Sequence, residues 1–157
     1  MAKKHDKALY AAIYNGDAAA AKLALAAGAS PDAVDDGFPC LWVAASSIRL
    51  TKLLLTSGAN PNVLTRGDGG QTPLGAAIER KKLAVIEALL AAGADPNLYR
   101  GLQNPPLADA ARIGNAKIVK VLVAAGARDL PCVNGQRGRD FATPKIAKLL
   151  PKPKKRK

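Results

Sequence analysis

Residues 93–97 read Gly93-Ala94-Asp95-Pro96-Asn97, and variants of this phrase occur elsewhere along the chain. Two copies precede it at residues 28–32 and 58–62, and a reduced copy follows at residues 126–129. The first glycines of the copies stand at positions 28, 58, 93 and 126 and are therefore 30, 35 and 33 residues apart. A nearly constant period in this range indicates a solenoid, in which each unit packs on its neighbours and the stack presents a long surface.

A second recurring block precedes each phrase. It reads Leu41-Trp42-Val43-Ala44-Ala45 in one unit, Thr72-Pro73-Leu74-Gly75-Ala76-Ala77-Ile78 in the next, and Pro105-Pro106-Leu107-Ala108-Asp109-Ala110-Ala111 in the third. Proline is favoured at the first position of a helix, where its missing N–H is not needed. Leucines at helical spacing then run up to each phrase glycine, which is typical of a left-handed helix C-cap. Each unit is therefore predicted to hold two helices.

This combination of motifs resembles the ankyrin repeat, and the resemblance extends over residues 5–150. It implies an all-α solenoid of helix-turn-helix units joined by β-turns. The implied repeats cover residues 5–33, 34–64, 67–99 and 100–130, followed by a capping repeat at 131–150 and a disordered basic tail at 151–157.

The chain also departs from the family pattern. The histidine expected after the helix-opening leucine is absent, and its places hold Tyr10, Trp42, Gly75 and Ala108. We therefore expect weaker or rewired hydrogen bonds between repeats. The second repeat lacks the glycine between its helices. The turn at residues 64–70 is longer than usual, and two interpretations stay open for it: a contact finger for a partner, or a tolerated surface insertion.

Composition agrees with one small domain whose core is aliphatic. The chain has 157 residues, of which 48% are hydrophobic but only 4% aromatic. Its formal net charge is +12, and residues 137–157 contribute nine basic residues against one acidic residue. The tail resembles a short nuclear-localisation signal, but it could equally hold an anionic partner or be merely solvated. Its basic residues are Lys152, Lys154, Lys155, Arg156 and Lys157.

Little in the sequence favours catalysis. His5 is the one histidine, which excludes a histidine-based triad and a multi-histidine metal site. The glycines near Thr72 lack the Lys-Ser/Thr ending of a phosphate-binding loop. The cysteines, Cys40 and Cys132, do not form a disulfide framework, and Cys40 is expected to be a half-buried free thiol. We therefore expect no enzyme, no cofactor and no metal, and a monomer without a membrane span in a reducing cytoplasm, or in the nucleus of a eukaryotic cell.

The resemblance implies a protein-binding scaffold whose partner lies on the concave face of β-turn tips and first helices. Phe38, Trp42, Arg80 and Arg112 are the expected energetic centre, because aromatic and arginine side chains dominate interfaces. For Trp42, packing between repeats in place of the missing histidine is an equal alternative. The residues expected on this face are Tyr14, Asp35, Asp36, Phe38, Trp42, Ser46, Asp68, Gln71, Arg80, Arg100, Asn104, Arg112 and Ile113.

Two other functions stay open at this stage. Small Ala-rich chains of this kind resemble bacterial ankyrin proteins that act as immunity proteins, as inhibitors or as delivered effectors, an analogy at the level of the family alone. Alternatively, the basic tail could bind nucleic acid or an acidic protein, although no DNA-reading motif supports nucleic acid. Binding through the tail would weaken steeply with salt, whereas binding through the concave face would not.

Overall fold

The structure is a computed structural model that describes residues 2–67, 69–101 and 103–152, with side chains from residue 4 onward. Its helices alternate with turns along the whole of this range. They are α1 (Ala2–Tyr14), α2 (Ala18–Ala26), α3 (Cys40–Val43), α4 (Ile48–Thr56), α5 (Pro73–Glu79), α6 (Leu83–Ala91), α7 (Pro106–Ile113), α8 (Ala116–Ala124), α9 (Gly138–Phe141) and α10 (Pro144–Ala147). A short 3₁₀ turn, Ala44–Ser46, continues α3.

The helices form two layers. In the first layer α1 packs on α3, α3 on α5, α5 on α7, and α7 on α9. In the second, α2 packs on α4, α4 on α6, and α6 on α8. Each unit thus supplies one helix to each layer, which confirms the predicted all-α solenoid of helix-turn-helix units.

The core lies between the two layers and repeats its composition from unit to unit. Alanine pairs of the first layer are buried, among them Ala76–Ala77 and Ala110–Ala111, which allows adjacent helices to approach closely. In the second layer the same three positions are buried in each of three successive helices. They are Leu50, Thr51 and Leu54 in α4, Val85, Ile86 and Leu89 in α6, and Ile118, Val119 and Leu122 in α8.

The helix ends follow the sequence prediction. Pro73 and Pro106 are the first residues of α5 and α7. Gly58 and Gly93 have φ of 89°, a left-handed conformation that residues with a Cβ rarely adopt, and each follows directly on the cap of a second-layer helix. Because the chain reverses there at the same point of each unit, successive units keep the same geometry.

The shortened second unit is closed by its 3₁₀ turn. The backbone tightens over Ala44–Ser46, and the Ser47 amide donates to the Ala44 carbonyl at 2.8 Å. Ser47 then caps α4, and the buried Thr51 hydroxyl donates to the same Ala44 carbonyl at 2.9 Å. A tight turn and a serine cap therefore replace the missing glycine turn.

A small β-hairpin directly precedes α3 in the chain. Strand β1 (Val34–Asp35) pairs antiparallel with β2 (Phe38–Pro39) across a two-residue turn at Asp36 and Gly37. Both turn residues have positive φ, at 45° and 81°, the geometry that matches strand twist in two-residue hairpins. The Arg66 amide donates to the Gly37 carbonyl at 2.8 Å, so the hairpin is held by the loop of the next unit.

Asp and Asn side chains link successive phrases by hydrogen bonds to the backbone. Asp32 Oδ1 accepts from the Asn60 amide at 2.8 Å, and Asn62 Oδ1 accepts from the Asp95 amide at 2.8 Å. Asn97 Oδ1 accepts from the Arg128 amide at 2.8 Å, and its Nδ2 donates to the Gly126 carbonyl at 3.1 Å. These side chains therefore carry hydrogen bonds from each repeat to the next.

Candidate partner-binding surface

The most strongly organised group on the predicted concave face is an aromatic–arginine cluster, formed by Phe38, Trp42 and Arg80. The ring centroids of Phe38 and Trp42 are 4.9 Å apart, with the rings tilted by 39°. The Arg80 Cζ lies 4.6 Å from the Trp42 ring centroid, a cation–π geometry. Phe38 comes from β2, Trp42 from α3 and Arg80 from the C-terminus of α5, so the cluster joins two successive units.

Hydrogen bonds fix the cluster from the side of the third unit. Arg80 Nη1 donates to the Trp42 carbonyl at 2.9 Å, and Trp42 Nε1 donates to Gln71 Oε1 at 2.8 Å. Burial lowers the pKa of the Arg80 guanidinium, an effect that the neighbouring Glu79 carboxylate opposes. Trp42 is half-buried and contacts Gln71 and Arg80 of the next unit. Phe38 covers it and remains 37% exposed.

A second cluster is built on α7. Asp109 is buried, and its Oδ1 accepts from Asn104 Nδ2 at 3.1 Å and from Arg112 Nη2 at 3.2 Å. The Arg112 side chain is 55% exposed and is therefore available to solvent. Asn104 and Arg112 were predicted from the sequence, but Asp109 was not. The available signal was a carboxylate within an otherwise apolar run, with an arginine three residues later on the same helical face.

The other predicted residues are dispersed along the stack. Exposed are Tyr14 at the end of α1, Asp35 and Asp36 in the hairpin, Ser46 in the 3₁₀ turn, and Arg100. Ile113 is half-buried and packs partly against the core. Lys152 is exposed, while Asp68, Lys154, Lys155, Arg156 and Lys157 lie outside the described residues.

The extended loop of the third unit borders an open depression of about 450 Å³. Its lining includes Leu64, Arg66, Gly70 and Arg100. Arg66 and Arg100 are both exposed, so the depression is open and basic on its described sides. Arg100 also packs beside Gly70, which brings the fourth unit against the loop of the third.

The described part of the chain contains no group of three or more His, Cys, Asp or Glu residues that could hold a metal ion. Both cysteines are buried and free, so Cys40 is more deeply buried than the half-buried thiol we expected. Burial, helped by the negative charges of Asp6, Asp35 and Asp32, raises the pKa of Cys40 to about 12. Among the helices of the described residues, none is both long and apolar enough to cross a bilayer.

Comparison with known proteins agrees with this architecture. The family model for ankyrin repeats (3 copies) matches residues 41–134. The chain is also 33% identical over 124 residues to an ankyrin repeat protein of fowlpox virus (strain NVSL). That match covers 76% of this chain and 28% of the viral protein, so the chain spans less than a third of this relative. The chain belongs to the ankyrin-repeat family, whose repeats generally mediate protein–protein interaction and are typically non-enzymatic.

Proposed function

We propose that the protein is a non-enzymatic scaffold that binds a partner protein through its concave face. The aromatic–arginine cluster is the observation that carries this proposal. Tyrosine, tryptophan and arginine are the residue types that contribute most to protein interfaces, especially where they are already held in place. Phe38 offers exposed apolar area, and Trp42 and Arg80 hold it on a base fixed by hydrogen bonds. Little side-chain freedom is therefore lost on binding.

Arg112 extends the same surface along the stack. Its pairing with Asp109 fixes one side of the guanidinium, while the exposed remainder can donate to a carbonyl or carboxylate of the partner. The proposed interface thus consists of an aromatic patch at the second and third units and an arginine at the fourth. We further propose that the scaffold works as a monomer, and that it does so in the cytoplasm, where reducing conditions suit its free, neutral thiols.

The test is a double variant, Phe38→Ala with Arg112→Ala. The natural partner, recovered by pull-down and identified, should bind it more weakly by at least about 2 kcal/mol, or roughly thirtyfold, because the apolar and the polar anchor are both lost. Titration calorimetry gives the affinity, and circular dichroism confirms the fold.

A matched control combines Leu23→Ala with Lys52→Ala. Both residues are exposed on second-layer helices, and Leu23 is 72% exposed, so this pair should leave the affinity unchanged. Equal affinity of the partner for the Phe38/Arg112 variant and the wild type would refute binding through the concave face.

A further inference from the structure

Charged residues of the second-layer helices recur in register with the repeat. Six residues before the phrase glycines stand Lys22, Lys52, Glu87 and Lys120, and nine residues before them stand Arg49 and Lys117 in α4 and α8. The buried positions of these helices lie four, seven and eight residues before the same glycines. At 100° per residue, the charged positions therefore point directly away from the core.

Stacking of α2, α4, α6 and α8 joins these positions into one surface, which we call the outer basic face: Lys22, Arg49, Lys52, Lys117 and Lys120. All five side chains are exposed. Among the described residues, the salt bridges are Arg112–Asp109 and Arg139–Asp129, so none of the five is paired with a carboxylate.

Acidic groups only partly offset this charge. Glu87 takes the equivalent place in α6, but Lys81 and Lys82 directly precede that helix. Asp17 lies at the start of α2, where its Oδ1 already accepts hydrogen bonds from the amides of Ala19 and Ala20. Lys81 and Lys117 also line one open depression of about 530 Å³ between two neighbouring turns. The face is therefore positive at α2, α4 and α8, and α6 contributes a single negative charge, Glu87, between α4 and α8.

This surface has the wrong chemistry for a protein interface. None of the chain's six aromatic residues falls within α2, α4, α6 or α8. Leu23 is the one large hydrophobic residue of these four helices that is strongly exposed. Lysine is depleted in the centres of protein interfaces, which depend on aromatic anchors. A row of unpaired lysine and arginine side chains instead suits a polymer with regularly spaced phosphates. The cations neutralise these phosphates, and the counterions that the phosphates had bound are released.

We infer that the outer basic face binds the phosphate backbone of nucleic acid, without reading its sequence. No aromatic side chain of this face is available to stack on a base, so the contacts are with phosphates alone. This binding is independent of the concave face and of the basic tail.

The experiment measures binding of the full chain to a fluorescein-labelled DNA duplex of arbitrary sequence by anisotropy, between roughly 50 and 200 mM salt. The test variant carries Lys22→Gln, Lys52→Gln, Lys117→Gln and Lys120→Gln. We expect its affinity to fall at least tenfold at the lowest salt. The slope of log affinity against log salt concentration should become shallower by about 3 to 4, because each lost phosphate contact lowers the magnitude of that slope by about 0.9.

A control variant removes the same charge elsewhere, with Lys7→Gln, Arg66→Gln, Arg100→Gln and Arg128→Gln. All four residues are exposed and none lies within α2, α4, α6 or α8, so affinity should change less than threefold. Arginine at the four outer positions should restore wild-type binding, which separates charge from any effect on folding. A duplex of the same sequence made of RNA shows whether the face distinguishes the two backbones.

Four results would overturn the inference. The first is no binding of the wild type at the lowest salt, and the second is an equal loss in the test and control variants, which would indicate net charge alone. The third is binding lost only when the five basic tail residues are changed to glutamine. The fourth is binding to phosphatidylserine-containing vesicles but not to either duplex, which would assign the face to a membrane surface.

Discussion

The thiol of Cys40 is buried, and its protonation therefore affects the stability of the repeat stack. Cys40 is the first residue of α3, where the family pattern places proline, and its side chain is completely buried. Its pKa is raised from 9.0 to about 12, chiefly by burial and further by nearby aspartates. The folded protein therefore holds the neutral thiol, whereas the unfolded chain releases its proton at a much lower pH.

The first prediction concerns alkaline stability. Because the folded-state pKa is the higher one, the contribution of this thiol is intact below pH 9 and is lost as pH rises from 9 towards 12. Between pH 8 and pH 10, wild type should lose about 1.4 kcal/mol more unfolding free energy than Cys40→Ala. Urea denaturation of both proteins at both pH values measures this difference. Parallel losses in the two proteins would show that the thiol titrates normally.

Individual residues also mark the limits of sequence reasoning. Proline positions, glycine caps and buried leucines follow from local rules and could be predicted. The stacking of Arg80 on Trp42 could not, because the two residues are 38 positions apart and meet only once two units pack together. Asp109 differs: a carboxylate in an apolar run, three residues before Arg112, could have indicated it, and only its bond to Asn104 depends on a loop path that the sequence pattern does not specify.

At the scale of elements, α4 is the helix that connects the irregular second unit to its neighbours. The sequence predicted that this unit is short, but not that a 3₁₀ turn and a Ser47 cap would close it. The Ala44 carbonyl accepts from the Ser47 amide and from the Thr51 hydroxyl, and the second of these bonds forms only when α4 packs on the turn. Leu54 of α4 is fully buried, and the helix contacts both α2 and α6.

The second prediction is that Leu54→Ala destabilises the protein by about 2–5 kcal/mol, since it removes a fully buried side chain and leaves a cavity. Because units of a solenoid stabilise one another, several repeats should weaken together rather than α4 alone. Chemical denaturation followed by circular dichroism measures the loss. Leu23→Ala, at an exposed position of α2, serves as the control and should cost less than about 0.5 kcal/mol. A cost below about 1 kcal/mol for Leu54→Ala would contradict the packing of α4.

At the scale of the whole molecule, the stack is closed at its C-terminal end by a polar network around α9. Arg139 Nε donates to Asp129 Oδ2 at 2.6 Å, and its Nη2 donates to the Pro151 carbonyl at 2.6 Å. Arg137 donates to the Asp129 carbonyl, and Gly138 packs against Ala108 of α7. Pro151 is therefore hydrogen-bonded to the repeat stack. Removing the residues after Lys152 consequently tests whether the tail is independent of the stack.

The last prediction compares two truncations. Ending the chain at Lys152 removes four basic residues, Lys154, Lys155, Arg156 and Lys157, but none of the contacts around Arg139. Its melting temperature should stay within about 1 °C of wild type, because a short Pro- and Lys-rich segment buries little. Ending it at Leu150 also removes the Pro151 carbonyl from Arg139, and a loss of about 1 kcal/mol should lower melting by roughly 2–4 °C. Differential scanning calorimetry of the three proteins distinguishes these outcomes. If the chain ending at Lys152 already melts several degrees below wild type, then the basic tail packs on the repeat stack and contributes to its stability.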